Sequence, residues 1–179
     1  MTPPAGPDSA DWERRWTIDA GSVTLQPVTR RMAQAVLDGG PSTGTFADGA
    51  RHDRIPGAMA AAIRDIDSGG AAAPPTVWFV VRGADGRIVG DIGTHGPPDG
   101  EGCVEIGYAL APSVRGMGIG TAAVAALVSR LAATPGIRQL TAVTGAGNTA
   151  SRRLLEGQGF HLAGPLPDTD EVRYTRPVS

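Results

Sequence analysis

The sequence predicts an α+β fold in which helices cover the middle of a mixed sheet. Three observations carry this. Near residue 76 the apolar pattern changes from helical spacing to period two and short apolar runs. A cleanly alternating strand at Cys103–Leu110 is followed by a glycine-rich loop, then by a helix whose apolar residues recur in register from Ile119. Strand and helix patterns then exchange to the end of the chain. The resulting order is β-α-α-β-β-β-α-β-α-β-β. With 179 residues the chain fits one domain with a tail. The expected division is an extension over 1–20, partly disordered, and a single domain over 21–179.

The first ten residues are rich in Pro, Gly, Ala and Ser and are expected to be loosely attached. Trp12 and Trp16 stand four apart and fit one amphipathic turn packed on the body, or a dimer contact. Residues 23–28 read as a strand. Thr29 is the expected N-cap of a helix through Leu37, ended by Asp38-Gly39-Gly40-Pro41. Residues 41–57 are irregular. An alanine-rich helix over about 57–68 turns Met59, Ile63 and Ile66 inward and is broken by Gly69 through Pro75. Strands follow at 76–81 and 87–92, joined by a hairpin turn through Asp85-Gly86. In Cys103–Leu110, Val104, Ile106, Tyr108 and Leu110 face one side, and Cys103, Glu105, Gly107 and Ala109 the other. Beyond the loop come a helix at 119–133, a strand at 137–144, a helix at 148–157 and short strands at 160–163 and 172–175.

Composition excludes several functions. All sixteen basic residues are Arg, so no lysine serves as nucleophile, Schiff base or phosphate clamp. The formal charge is −2, with no basic stripe, which argues against nucleic acid as a partner. The single cysteine, Cys103, excludes an internal disulfide and a cysteine-built zinc site. The N-terminal residues lack the apolar core of a signal peptide, and no apolar run reaches the ~18 residues of a membrane span. The expected location is the cytoplasm. His52 and His95, with Asp53 and Asp91, match no metal-ligand spacing.

The chemistry concentrates in Val114-Arg115-Gly116-Met117-Gly118-Ile119-Gly120-Thr121, between a strand and a helix start. Alternate glycines let a ligand approach the backbone. Free amides and the helix dipole favour an anion, most simply a phosphate or pyrophosphate, and Arg115 adds a cation. A nucleotide-hydrolase loop would need Gly-Lys-Ser/Thr where Gly118-Ile119-Gly120-Thr121 stands. A dinucleotide fold would need an acidic residue about 20 positions on, and Ile137 through Val143 contain none.

Arg115-Gly116-Met117-Gly118-Ile119-Gly120 resembles the R/Q-x-x-G-x-G/A pyrophosphate loop of the GCN5-related N-acetyltransferase (GNAT) superfamily. The preceding strand, Glu105-Ile106-Gly107-Tyr108-Ala109-Leu110-Ala111-Pro112, is similar to its RimJ/RimL-like branch. So is Asn148 through Phe160, against N-x-x-S-x-x-x-x-E-x-x-G-F. Together the motifs cover about 103–160. The resemblance implies a mixed, mostly antiparallel sheet of about six to seven strands with about four helices on both faces. It implies acetyl-CoA as co-substrate, no metal, direct transfer to an amine and a homodimer. It places the pyrophosphate on Arg115, Gly116, Met117, Gly118, Ile119, Gly120 and Thr121, and the pantetheine arm and thioester on backbone groups of Leu110 and Ala111. Asn148 is then a coenzyme contact, an N-cap, or both. Ser151 is a coenzyme contact and the acid that protonates the departing thiolate, or an ordinary first-turn serine. Glu105 is the general base, or a charge on a solvated strand face. Tyr174 is a second candidate acid, and Cys103 a buried small residue. Arg51-His52-Asp53-Arg54 and the turn with Asp168, Asp170 and Glu171 are candidate rims of the acceptor pocket. The acceptor is a small amine or a protein N-terminus, the charge balance favouring the former. The alternative from another class is a CoA-binding module without transfer.

Overall fold

The structure, a computed structural model, describes residues 6–40, 44–69 and 74–178. In chain order these form α1 (Ala10–Trp16), β1 (Ile18–Asp19), β2 (Val23–Pro27), α2 (Arg30–Leu37), α3 (Ile55–Gly69), β3 (Val77–Arg82), β4 (Ile88–Thr94) and β5 (Cys103–Leu110). After a 3-10 turn at Pro112–Val114 come α4 (Ile119–Ala132), β6 (Gln139–Gly145), α5 (Thr149–Gly157), β7 (His161–Pro165) and β8 (Glu171–Pro177). The expected disorder of residues 1–5, the expected stop at Pro41 and the breaker at 70–73 lie outside the described residues.

One sheet holds all eight strands in the order β1-β2-β3-β4-β5-β6-β8-β7. Every neighbouring pair is antiparallel except β5 and β6. Period-two alternation distributes the apolar residues to both faces. Phe79 of β3 packs with Met32 and Met59 of α2 and α3. Its neighbour Trp78 turns to the other face, where Val124 and Leu127 of α4 and Leu155 of α5 close the larger core. The sheet is thus covered on both sides, as a sheet apolar on both faces requires.

The fold carries one strand and one helix more than the element order read from the sequence, and both come from the N-terminal segment. Ser9 caps α1 by accepting the Trp12 amide, and Trp12 is buried. The Trp78 indole donates to the Trp16 carbonyl at 2.9 Å, and the Arg130 guanidinium lies 4.7 Å from the Trp16 ring centre. The segment from 10 to 19 is therefore packed onto the sheet and onto α4. The strand β1 has two residues and carries no periodicity to read. The helix α3 begins at Ile55 because Pro56 is tolerated in a first turn, where no amide donor is needed. The strand β4 continues two residues beyond Ile92, which brings His95 beside β5.

Candidate active site

The parallel junction determines the site. Cys103 through Ile106 pair with Gln139 through Ala142, and the pairing then stops while both strands run on. On its other edge β5 stays bonded to β4: the His95 amide donates to the Glu105 carbonyl, and the Ala111 amide to the Val89 carbonyl, each at 2.8 Å. Odd-numbered residues of β5 therefore bond toward β4, and even-numbered ones face β6. Past Ile106 the backbone groups of Tyr108 and Leu110 turn into the opening, without a ladder partner among the described residues. Leu110, expected to receive the pantetheine arm, thus presents its backbone groups to this opening. Ala111 is buried, and both its backbone groups are used internally, since its carbonyl accepts the Val114 amide at 3.2 Å.

At the mouth of the opening the loop enters α4. Gly116 and Gly118 both have φ of +74°, a region that disfavours side chains, and open space lies where a Cβ would stand. Gly118 occupies the N-cap position with no side-chain cap, and the first backbone bond into α4 runs from Ala122 to the Gly118 carbonyl. The amides of Ile119, Gly120 and Thr121 consequently have no intrahelical acceptor. Arg115 is exposed, and among the described residues its side chain has no hydrogen-bond or ion-pair partner. An uncapped helix start, two backbone-permissive glycines and an unpaired guanidinium fit a pyrophosphate. Met117 is exposed beside them, whereas Ile119 is buried and contributes only its amide. Gly120 serves a different need: a Cβ there would lie 2.9 Å from Leu154 and 3.1 Å from Leu110, so its absence lets α4, α5 and β5 close together.

The helix α5 brings Ser151 to the opening. Asn148 is its N-cap and accepts the Ser151 amide at 3.2 Å. The Ser151 hydroxyl is 2.8 Å from the Tyr108 hydroxyl. Burial pushes the Tyr108 phenol up, and the hydrogen bond to Ser151 offsets part of that shift. Tyr108 therefore stays neutral through the physiological range. Sequence reasoning placed Tyr108 on the face away from Glu105, and it lies there. The missing signal was the position of α5, which packs on that same face.

Glu105 projects from the opposite side of β5, where its carboxylate meets His95 Nδ1 at 2.8 Å. The two predicted catalytic residues thus lie on either side of one strand near the point where it parts from β6, each with a partner that sequence reasoning did not assign. His95 was hidden because the expected return strand ended at Ile92 and left its register against Glu105 undetermined.

Other candidates are placed elsewhere. Tyr174 is fully buried, donates to Glu156 at 2.7 Å and accepts from Arg152 at 3.0 Å, so it is closed to substrate as an acid. His52 Nε2 contacts Asp91 at 2.6 Å, and its Nδ1 accepts the Arg54 amide, which ties the loop before α3 to β4. Arg51 donates to the Gly40 carbonyl and stacks on Phe46. Asp168 and Asp170 lie in the exposed turn between β7 and β8, and the exposed Glu171 opens β8. Cys103 is half-buried and free. Among the described residues no group of His, Cys, Asp or Glu could hold a metal ion, and no helix is long and apolar enough to cross a membrane.

Residues 22–161 match the family model described as an acetyltransferase (GNAT) domain. No curated protein matches the chain. Similar solved structures include Mycobacterium smegmatis RimJ in complex with CoA-disulfide, at 23% identity and a TM-score of 0.61, covering 89% of this chain and 84% of that one. The ribosomal-protein-S5-alanine acetyltransferase of Vibrio fischeri aligns at 12% identity and 0.65, covering 91% and 97%. The microcin C7 self-immunity acetyltransferase MccE, in complex with acetyl-CoA and AMP, aligns at 16% and 0.63, covering 88% and 93%.

Proposed function

The chain belongs to the GNAT acetyltransferase family and is an acetyl-CoA-dependent N-acetyltransferase, and from that premise we propose that it passes the acetyl group directly to a small primary amine in a ternary complex. One observation supports this above the rest: a strand pair that parts at Ile106, next to an uncapped helix start with a free arginine. Arg115, Gly116, Met117, Gly118, Ile119, Gly120 and Thr121 hold the pyrophosphate. Leu110, with Tyr108, receives the pantetheine arm, and Ala111 fixes the turn that follows. Asn148 caps α5 and orients Ser151 toward the coenzyme.

The amine nitrogen attacks the thioester carbon, a C–N bond forms and the C–S bond breaks. The acceptor ammonium gives up two protons. One leaves through the Glu105–His95 pair, and one ends on the coenzyme sulfur, delivered by Ser151. Tyr108, neutral and bonded to Ser151, holds that hydroxyl in place. The formal charge of −2 and the absence of a basic face favour a small amine over a ribosome-bound protein N-terminus.

Calorimetric titration with acetyl-CoA tests the coenzyme assignment. Micromolar binding is expected, weakened about tenfold in Arg115→Ala, as for one charge-assisted contact, and absent for NADH. A panel of aliphatic amines and N-terminal peptides tests the acceptor; turnover confined to peptides would replace the small-amine assignment. Tight binding with no turnover on any acceptor would make the protein a CoA-binding module.

A further inference from the structure

We propose that His95, held by Glu105, is the proton acceptor for the attacking amine, an assignment that rests on the transferase reading above. An ionised carboxylate can only accept a hydrogen bond, so the 2.8 Å contact places a proton on His95 Nδ1, and in the neutral ring the lone pair is then on Nε2. That nitrogen has a defined position. A Cβ on Gly107 would stand 2.7 Å from Nε2, so the ring lies across the β5 backbone at Gly107. Gly107 is the first residue beyond the Ile106–Ala142 pair, where β5 and β6 part.

Backbone register holds the pair together. The His95 amide donates to the Glu105 carbonyl at 2.8 Å, which sets the two residues opposite each other across β4 and β5. The His95 side chain is 66% exposed and that of Glu105 31%. The imidazole is therefore the member of the pair that an incoming amine meets first, and Glu105 orients it from behind. Imidazole is also the side chain whose basicity lies nearest to neutral working pH, the condition for an effective general base. The Tyr108–Ser151 pair lies on the other face of β5, so proton removal from nitrogen and proton delivery to sulfur are kept on opposite sides of the strand. In this step Nε2 takes a proton from the acceptor ammonium and the freed nitrogen lone pair forms the C–N bond. The electrons of the C–S bond leave on sulfur, which takes the Ser151 hydroxyl proton; the second nitrogen proton, lost as the amide forms, restores that hydroxyl through water, and imidazolium returns its proton to water. Glu105 is thereby a positioning residue, and His95 the catalytic one.

The test uses the full chain, acetyl-CoA and the amine of fastest turnover from the panel, with thiol release as readout. His95→Ala should lower kcat roughly a hundredfold or more, leave KM for acetyl-CoA unchanged and regain activity with added imidazole. Glu105→Gln should lower kcat less. In wild-type protein labelled with ¹⁵N at histidine, the His95 signals should be those of the Nδ1–H tautomer, a signature that Glu105→Ala, which removes the acceptor, abolishes. Gly107→Ala, whose methyl overlaps Nε2, should displace the ring and lower kcat in parallel. Wild-type turnover with His95→Ala within threefold of it overturns the assignment and leaves the transferase intact. Loss in Glu105→Gln without loss in His95→Ala makes the carboxylate itself the base. A wild-type protein that binds acetyl-CoA but acetylates nothing overturns the functional reading, and this assignment with it.

Discussion

Gly116, Gly118 and Gly120 form one motif in sequence but answer two physical demands. The first two adopt a left-handed backbone in open surroundings, so a side chain there strains φ without meeting a neighbour. The third fits between Leu154 and Leu110. Gly118→Ala is therefore expected to cost about 1–2 kcal/mol and to weaken acetyl-CoA binding, because it distorts the amides at the helix start. Gly120→Ala is expected to cost about 1–3 kcal/mol by overpacking while the loop keeps its conformation. Denaturant unfolding and calorimetry on the two variants separate these effects. Tyr108 gives a pH prediction. Its folded-state pKa is raised by burial, so the folded protein retains a phenol proton that the unfolded chain releases. Its contribution to stability is complete below the ordinary phenol value and is lost as pH rises through the folded one. An ultraviolet titration should show one tyrosine ionising above the ordinary range. Ser151→Ala should move it higher still, because the bond that offsets the burial is removed.

At the scale of elements, legibility followed pattern length. The strand β5 was read with both ends correct because eight residues alternate without a break, and α4 was placed to within one residue by its apolar register. Asn148 was read as a cap and is one. What escaped was set by contacts between elements. The turn expected at Trp12 and Trp16 forms, as α1, but the Trp78 indole and Arg130 guanidinium that hold it come from β3 and α4, and nothing within residues 1–20 announces those contacts. His95 meets Glu105 only because β4 outlasts its apolar run, and Ser151 meets Tyr108 only because of where α5 settles. The loop motif was legible as an anion-binding candidate because its glycines act locally through their own backbone and its arginine stands beside them. The cap at Asn148 allows its two expected roles to be separated. Asn148→Ala should lower stability by about 1 kcal/mol, and Asn148→Ser, which keeps a capping oxygen, should restore it. If Asn148 also touches the coenzyme, the serine variant will recover stability without recovering acetyl-CoA affinity.

Across the whole molecule, the single parallel junction divides the sheet into an antiparallel meander, β1 to β5, and a smaller antiparallel group of β6, β8 and β7. The base assignment belongs to the first group and the acid to α5, which is tied to the second. Productive geometry therefore depends on how firmly α5 is held to β8. That link is polar and anchored on a buried ring: the Tyr174 hydroxyl of β8 donates to Glu156 and accepts from Arg152, both on α5, and a second Arg152 nitrogen reaches the Ala146 carbonyl just past β6. Removing the hydroxyl takes away an acceptor and a donor at once while leaving the apolar packing of the ring. Tyr174→Phe is accordingly expected to lower stability by about 1–2 kcal/mol. It should also reduce kcat more than it raises KM for acetyl-CoA, since the proposed pyrophosphate loop before α4 is untouched and only Ser151 is loosened. Glu156→Gln keeps an acceptor for Tyr174 and should lie between the variant and the wild type. A Tyr174→Phe protein with reduced stability but unaltered kcat would show that Ser151 is positioned by Tyr108 alone, from within the first group.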